Sequence, residues 1–237
     1  MATAAAYAPP PYPSHRPESR RLPDGTAVVI RPIHPEDDAI ERVFITGLSR
    51  DTRYNRLLGA RKLTPEEIRR LTHIDYVREM AFVAVTESGG QTRLLGVSRY
   101  VRDVDGGGAE FALVIADAWQ KKGLGSLLLA ILLRHAQAAG IGRLHGVTLA
   151  TNQGMLNLAR KLGFVRKLDL QDATVRLVEK KLTAGVLAVA AHSNAGYGSI
   201  AANDEGIAPS AALRPPESFR NGQGNKTAAD SNQCAGC

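Results

Sequence analysis

Residues 27–33 are rich in Val and Ile and read as a strand, entered from a turn of Pro23, Asp24, Gly25 and Thr26. Pro35 with Glu36, Asp37 and Asp38 marks a helix start, and Ile40, Val43, Phe44 and Leu48 follow at helical spacing. Residues 50–62 carry Arg50, Arg53, Arg56, Arg61 and Lys62 among few apolar side chains, which predicts a mostly irregular basic connection. Thr64, Pro65, Glu66 and Glu67 form an N-cap signature for a second helix reaching about residue 74. Strands are expected at 80–86, 94–102 and 109–116, with turns at Gly89-Gly90 and 103–108, as an antiparallel meander. The period then changes. Residues 124–139 are apolar on nearly every side and predict a buried helix ending at Gly140. A strand at 144–150, reached through that helix, should run parallel to 109–116. A helix at 153–162 stopped by Gly163, and a hairpin of 164–170 with 174–182, complete the order β-α-α-β-β-β-α-β-α-β-β. The predicted class is mixed α/β: a mostly antiparallel sheet with one parallel pair and flanking helices.

Composition confines this fold to the middle of the 237 residues. Residues 1–20 are rich in Pro, Ala and Ser, and 183–237 in Ala, Gly, Ser and Asn. Neither stretch can bury enough surface to offset its ordering entropy. The expected organisation is a disordered tail (1–20), one folded domain (21–182) and a low-complexity, mostly disordered C-terminal tail (183–237), in which 182–191 could form a short edge helix. Both cysteines, Cys234 and Cys237, fall in that tail. The folded part is therefore left without a disulfide, a cysteine zinc site or a cysteine nucleophile. The six histidines (His15, His34, His73, His135, His145, His192) show no metal spacing, so no metal is expected. The N-terminus lacks the pattern of a secretory signal, and the longest apolar run, 127–133, falls far short of the ~20 residues of a membrane span. A cytoplasmic protein with no membrane partner is expected. The net charge of +7 suits anionic partners, but aromatics at 5 % argue against a base-stacking surface, so nucleic acid is not the expected partner.

The most informative stretch is 109–126, where a strand runs into a glycine turn and then a helix. Free N–H groups and the positive end of the helix dipole make such a turn a cradle for a pyrophosphate. Gly123 and Gly125 let phosphate oxygens approach the backbone, and Lys121 and Lys122 add charge. A Walker loop is absent, and so is a dinucleotide fingerprint with its distal acid.

Gln120-x-x-Gly123-x-Gly125, together with Asn152 and Gly163-Phe164 eleven residues after it, resembles the GNAT family of N-acetyltransferases over about 160 residues. Residues 109–114, 152–164 and 50–59 are similar to the Pat-type bacterial protein-lysine acetyltransferase domain. The resemblance implies acetyl-CoA as co-substrate. Pantetheine would lie along Ala112, Leu113 and Val114, the pyrophosphate on Gln120, Lys121, Lys122, Gly123, Leu124 and Gly125, and Asn152 would contact the cofactor.

Glu110 is the candidate general base. A lysine amine, with a pKa of about 10.4, must lose a proton before it attacks a thioester. Strand alternation puts Glu110 on one face with Ala112 and Val114. Many relatives carry a Tyr four residues before Gly-Phe as acid for the leaving thiolate; here that residue is Ala159. Without a core cysteine, direct transfer in a ternary complex is expected. The expected acceptor is a lysine on a protein such as an acyl-CoA synthetase; the basic segment around Arg50, Arg53, Arg56, Arg61 and Lys62 reads as a solvated face, as a dock for an acidic protein surface, or as phosphate contacts at the adenosine end. The alternatives are a small-molecule amine acetyltransferase of the same fold and a non-catalytic acetyl-CoA sensor; Glu110 argues against the sensor. Trp119 is expected to pack under the turn.

Overall fold

The computed structural model of the chain describes residues 11–59 and 62–183. Arg61, the two cysteines and the tails expected over 1–10 and 184–237 lie outside the described residues.

The elements are β1 (Glu18–Arg21), β2 (Ala27–Pro32), α1 (Asp38–Gly47), α2 (Arg50–Leu57), α3 (Pro65–Thr72), β3 (Glu79–Ser88), β4 (Gln91–Arg102), β5 (Ala109–Ile115), α4 (Leu124–Ala138), β6 (Arg143–Leu149), α5 (Gln153–Lys161), β7 (Val165–Leu168) and β8 (Val175–Lys181). The strands form one sheet in the order β1-β2-β3-β4-β5-β6-β8-β7. Every neighbouring pair is antiparallel except β5 and β6. This is the mixed sheet expected from the pattern, with the parallel pair where the α4 crossover requires it.

Each face of the sheet buries a core. Leu124, Leu128 and Leu132 of α4 pack on Phe82, Tyr100 and Phe111 on one side. Phe44 and Ile68, from α1 and α3, cover Val83, Val97 and Val114 on the other. β5 divides its side chains accordingly: Phe111 enters the first core and Val114 the second. Thr64 accepts from the Glu67 amide and Glu67 accepts from the Thr64 amide, the reciprocal box read from the sequence.

Three local expectations change. Residues 50–57 are helical, because Ser49 caps the Thr52 amide and Asp117, far along the chain, fixes Ser49. The sheet begins at Glu18–Arg21, paired with β2 through the 23–26 turn, ahead of the boundary at residue 21. Tyr12 donates to the Pro32 carbonyl and His15 stacks edge-on against Phe82, so packing extends upstream of that strand. Val43, read as a core position of α1, is 72 % exposed.

Candidate active site

The site begins where two parallel strands part. β5 and β6 are in register only at Ala109↔Leu144 and Glu110↔His145. Beyond Glu110 they diverge, while β5 stays paired with β4 through Ile115. One edge of β5 therefore opens into a cleft of about 340 Å³ instead of a ladder. Unpaired strand amides and carbonyls need partners, which an extended ligand with amides of its own can supply. Ala112, Leu113 and Val114 line this edge, and Glu110 stands at its closed end.

At the open end β5 feeds the phosphate loop. Lys121 and Gly123 both take positive φ, 60° and 85°, and this turns successive amides inward. Gly123 precedes α4 without any side-chain cap, leaving the first-turn N–H groups of a fifteen-residue helix open toward the cleft. At Gly125 a Cβ would lie 3.4 Å from Leu158 and 3.6 Å from Leu113, at the cleft wall. The donor set suits a diphosphate.

Not every residue assigned to this loop faces the cleft. Gln120, Lys121, Gly123, Gly125 and Asn152 line it. Lys122 does not: its ammonium pairs with Asp24 at 3.1 Å and sits 4.7 Å from the Trp119 ring centroid. Hydrogen bonds from Thr26, then the Lys122 ammonium, hold the Asp24 carboxyl down at about 2. Leu124 is fully buried in the core, so its side chain is unavailable, although its amide belongs to the first turn of α4. Gln120 spends its side-chain amide on the Thr52 hydroxyl (3.0 Å) and the Ile115 carbonyl (3.1 Å), bracing the loop against α2. Asn152 caps α5 by accepting from the Met155 amide. Ala159 is buried in the core and offers no acid to a thiolate.

The helix that the sequence concealed supplies the remaining wall. Thr52, Asn55 and Arg56 of α2 line the cleft, followed by Leu58. Asp117 accepts from the Ser49 amide (2.9 Å), the Ser49 hydroxyl (2.6 Å) and the Thr52 hydroxyl (2.6 Å), tying α2 to the loop. Burial, then the Arg99 guanidinium, brings Arg56 down to about 10, against the pull of Glu41 and Glu110. Behind it, Glu41 is 1 % exposed and leaves Oε2 without a hydrogen-bond partner. Burial pushes this carboxyl up to about 7, although Arg99 and Arg56 oppose the shift. Gly146 and Val147 of β6 form the opposite wall, and Gly146 lies so close to Phe111 that an added Cβ would meet its ring at 2.9 Å.

A strand fork, a helix-terminal anion cradle and a carboxylate at the fork's closed end are the parts of an acyl-CoA transfer site. Residues 27–165 match the acetyltransferase (GNAT) domain family. The chain belongs to the GNAT family. It is 40 % identical over 154 residues to Acetyltransferase PA5475 of Pseudomonas aeruginosa, an alignment covering 65 % of this chain and 83 % of that one. It is 31 % identical over 139 residues to Acetyltransferase Pat of Mycolicibacterium smegmatis, covering 57 % of this chain and 40 % of the relative. In structure it resembles the GNAT domain of S. lividans PAT, with a TM-score of 0.66 and 26 % identity over 73 % of this chain and all of that domain. A GNAT protein of this kind is an N-acetyltransferase that draws its acetyl group from acetyl-CoA. Among the described residues no helix is long and apolar enough to cross a membrane.

Proposed function

We propose that this GNAT enzyme acetylates the ε-amine of a lysine on a protein, by direct transfer in a ternary complex with Glu110 as general base. The observation that carries this reading is the position of Glu110 in the fork of β5 and β6, in their last paired row and on the wall of the cleft. Pantetheine amides extend the free edge of β5 along Ala112, Leu113 and Val114, and the diphosphate rests on the turn at Lys121, Gly123 and Gly125. The thioester then reaches the fork beside Glu110. Glu110 takes a proton from the lysine ammonium, the amine attacks the thioester carbonyl, and the thiolate leaves. Positioned proton transfer contributes ~10²–10⁴-fold, and holding both substrates together removes up to ~7–11 kcal/mol of the barrier. With Ala159 in place of a tyrosine, the thiolate leaves without a side-chain acid at that position.

A protein acceptor is favoured by the basic flank of α2, where Arg50 is exposed and Arg53 half-buried, and by similarity to two proteins named Pat. An acyl-CoA synthetase presenting a lysine on an acidic surface suits that flank. The test is incubation with labelled acetyl-CoA and a cell lysate, then mass spectrometry for acetyl-lysine. Glu110→Gln should abolish most of the labelling while CoA affinity stays near wild type. Equal labelling by the variant removes Glu110 as base. Label on small amines but on no protein lysine moves the acceptor to the small-molecule class. Parallel double-reciprocal plots would refute the ternary complex.

A further inference from the structure

Acetyl transfer to a protonated amine is a proton-producing reaction. R–NH3+ and acetyl-CoA yield the amide, CoA–SH and one H+. That proton must leave a half-buried carboxylate covered by both substrates, and the cross-strand neighbour of Glu110 offers the way out.

Register places Glu110 of β5, His145 of β6 and Glu179 of β8 side by side in one row. Neighbouring strands lie about 4.8 Å apart, and residues paired in register share a face. The opposite face at this level is the closed core, with Leu144 at 0 % and Val178 at 2 % exposure. His145 Nε2 lies 2.9 and 3.1 Å from the two carboxylate oxygens of Asp103, in the turn between β4 and β5. A carboxylate can only accept, so Nε2 is the donor, and Nδ1 is the acceptor in the neutral ring. Among the described residues Nδ1 has no hydrogen-bond partner. Asp103 is itself held by Arg143 Nη2 at 3.1 Å, and the half-exposed Arg143 side chain brings the cluster to solvent. Other charges face the ring as well. Glu179 is engaged by Lys167 at 3.0 Å and Arg143 at 3.7 Å, and Arg56 approaches Glu110 from α2. Two of the three carboxylates around the imidazole are thus bound to cations, and Glu110 is the one that faces the cleft.

We propose that His145, oriented by Asp103, relays the proton from Glu110 to solvent. The inference rests on Glu110 being the base. Glu110 accepts the ammonium proton. The amine then forms the N–C bond as the C–S bond breaks, and the second amine proton passes to the thiolate to give CoA–SH. Protonated Glu110 delivers its proton to Nδ1, and the imidazolium, stabilised by Asp103, releases a proton to bulk water. Glu110 is left ionised for the next turnover. His145 touches no substrate and is a positioning and relay residue.

The test compares wild type with Glu110→Gln, His145→Gln, His145→Ala and Asp103→Asn. Acetyl-CoA is the donor, a purified acyl-CoA synthetase and spermidine are parallel acceptors, and thiol release is the readout. His145→Gln should lower kcat about tenfold with the KM for acetyl-CoA unchanged, a fraction of the loss expected for the base itself. The deficit should shrink as pH rises toward 9, where hydroxide replaces the relay, and added imidazole should partly restore His145→Ala. In the Glu110→Gln background the His145 substitution should cost nothing further. A structural role predicts a loss independent of pH and imidazole, and that result overturns the relay. If Glu110→Gln is crippled while His145→Gln and Asp103→Asn match wild type, the relay falls and the base stands. If Glu110→Gln turns over normally, both readings fall. Should His145→Gln not bind CoA or not fold by circular dichroism, Asp103→Asn, which keeps the ring and the shape, decides by the same pH profile.

Discussion

Removing Asp117 should unfasten the α2 wall of the cleft without removing a contact of the strand that carries Glu110. Its carboxylate receives three hydrogen bonds, from the Ser49 amide and the Ser49 and Thr52 hydroxyls. A shielded bond of this charged kind is worth ~1.5–3 kcal/mol. Water reaches this carboxylate and rehydrates the donors, so the sum falls to roughly 1–2 kcal/mol for Asp117→Ala. For a domain of this size that is a drop of about 4 °C in Tm. The loss concentrates at the start of α2, and Thr52 in turn accepts from Gln120 of the phosphate loop. If half or more of it appears as misplacement of Thr52, Asn55 and Arg56, the Kd for CoA rises roughly three- to tenfold, since 1.4 kcal/mol is tenfold. The turnover number should change much less. Scanning fluorimetry reads the first quantity and calorimetric titration of CoA the second. A variant that melts and binds CoA like wild type would show that the three bonds do not hold α2. The sign with pH is fixed too. Burial alone would raise this carboxyl, but the hydrogen bonds from Ser49 and Thr52 outweigh it and hold it below the ordinary 3.8. The stabilisation is present above 3.8 and is lost as pH falls through the lowered value.

Three further outcomes are expected. Gly146→Ala puts a Cβ at 2.9 Å from the Phe111 ring and 3.0 Å from its carbonyl oxygen, so it should destabilise by about 1–3 kcal/mol and raise the KM for acetyl-CoA, as denaturant titration and steady-state kinetics would register. Glu41, raised to about 7 from the ordinary 4.5, keeps its proton in the folded state between those values; stability should fall by roughly 3 kcal/mol as pH climbs from 4.5 past 7, at ~1.4 kcal/mol per unit, and a Glu41→Gln variant with the same pH slope in urea melts would refute this. Lys122→Ala should leave the Kd for CoA within about twofold, because its charge is already committed to Asp24 and Trp119, whereas Lys121→Ala, at the cleft, should weaken binding about threefold or more in the same titration.

What could be read in advance was whatever neighbouring residues determine. The meander, the crossover and the capping box follow from turns, periodicity and caps a few residues apart, and Glu110, Gly123, Gly125 and Asn152 all line the cleft as their local motifs implied. The misses share a different cause. α2 is stabilised by Asp117, 68 residues from Ser49, and its own sequence buries only Leu57. The Lys122 ammonium is paired with Asp24, 98 residues away, a contact that the glycine motif does not announce. Arg56 reads in the sequence as one of a basic run that is solvated or docks a partner, whereas α2 turns it into the cleft. β1 is a short polar edge strand whose pattern carries no amphipathic signal, and only its pairing with β2 declares it.

The fork itself explains why the chemistry sits where it does. Pairing of β5 with β6 stops at Glu110 and His145, so the last shared row is the deepest point a ligand on the free edge of β5 can reach. In the proposed binding mode, a thioester threaded along that edge would be stopped there by the sheet itself. The same row carries the carboxylate on one strand and the imidazole on the next. Gly146 follows immediately, where contact with Phe111 leaves no room for a Cβ, so the first position past the fork stays clear. Pairing β5 and β6 for one more residue would move the closed end past Glu110 and strand it below the cleft. Phe111 packs against Gly146 and Phe164 just past the end of the ladder, and the two-residue ladder would thereby bring the proposed donor path, base and proton exit to one row. Bulkier substitutions at 146 should consequently impair acetyl-CoA binding and turnover jointly, while Glu110→Gln should separate them.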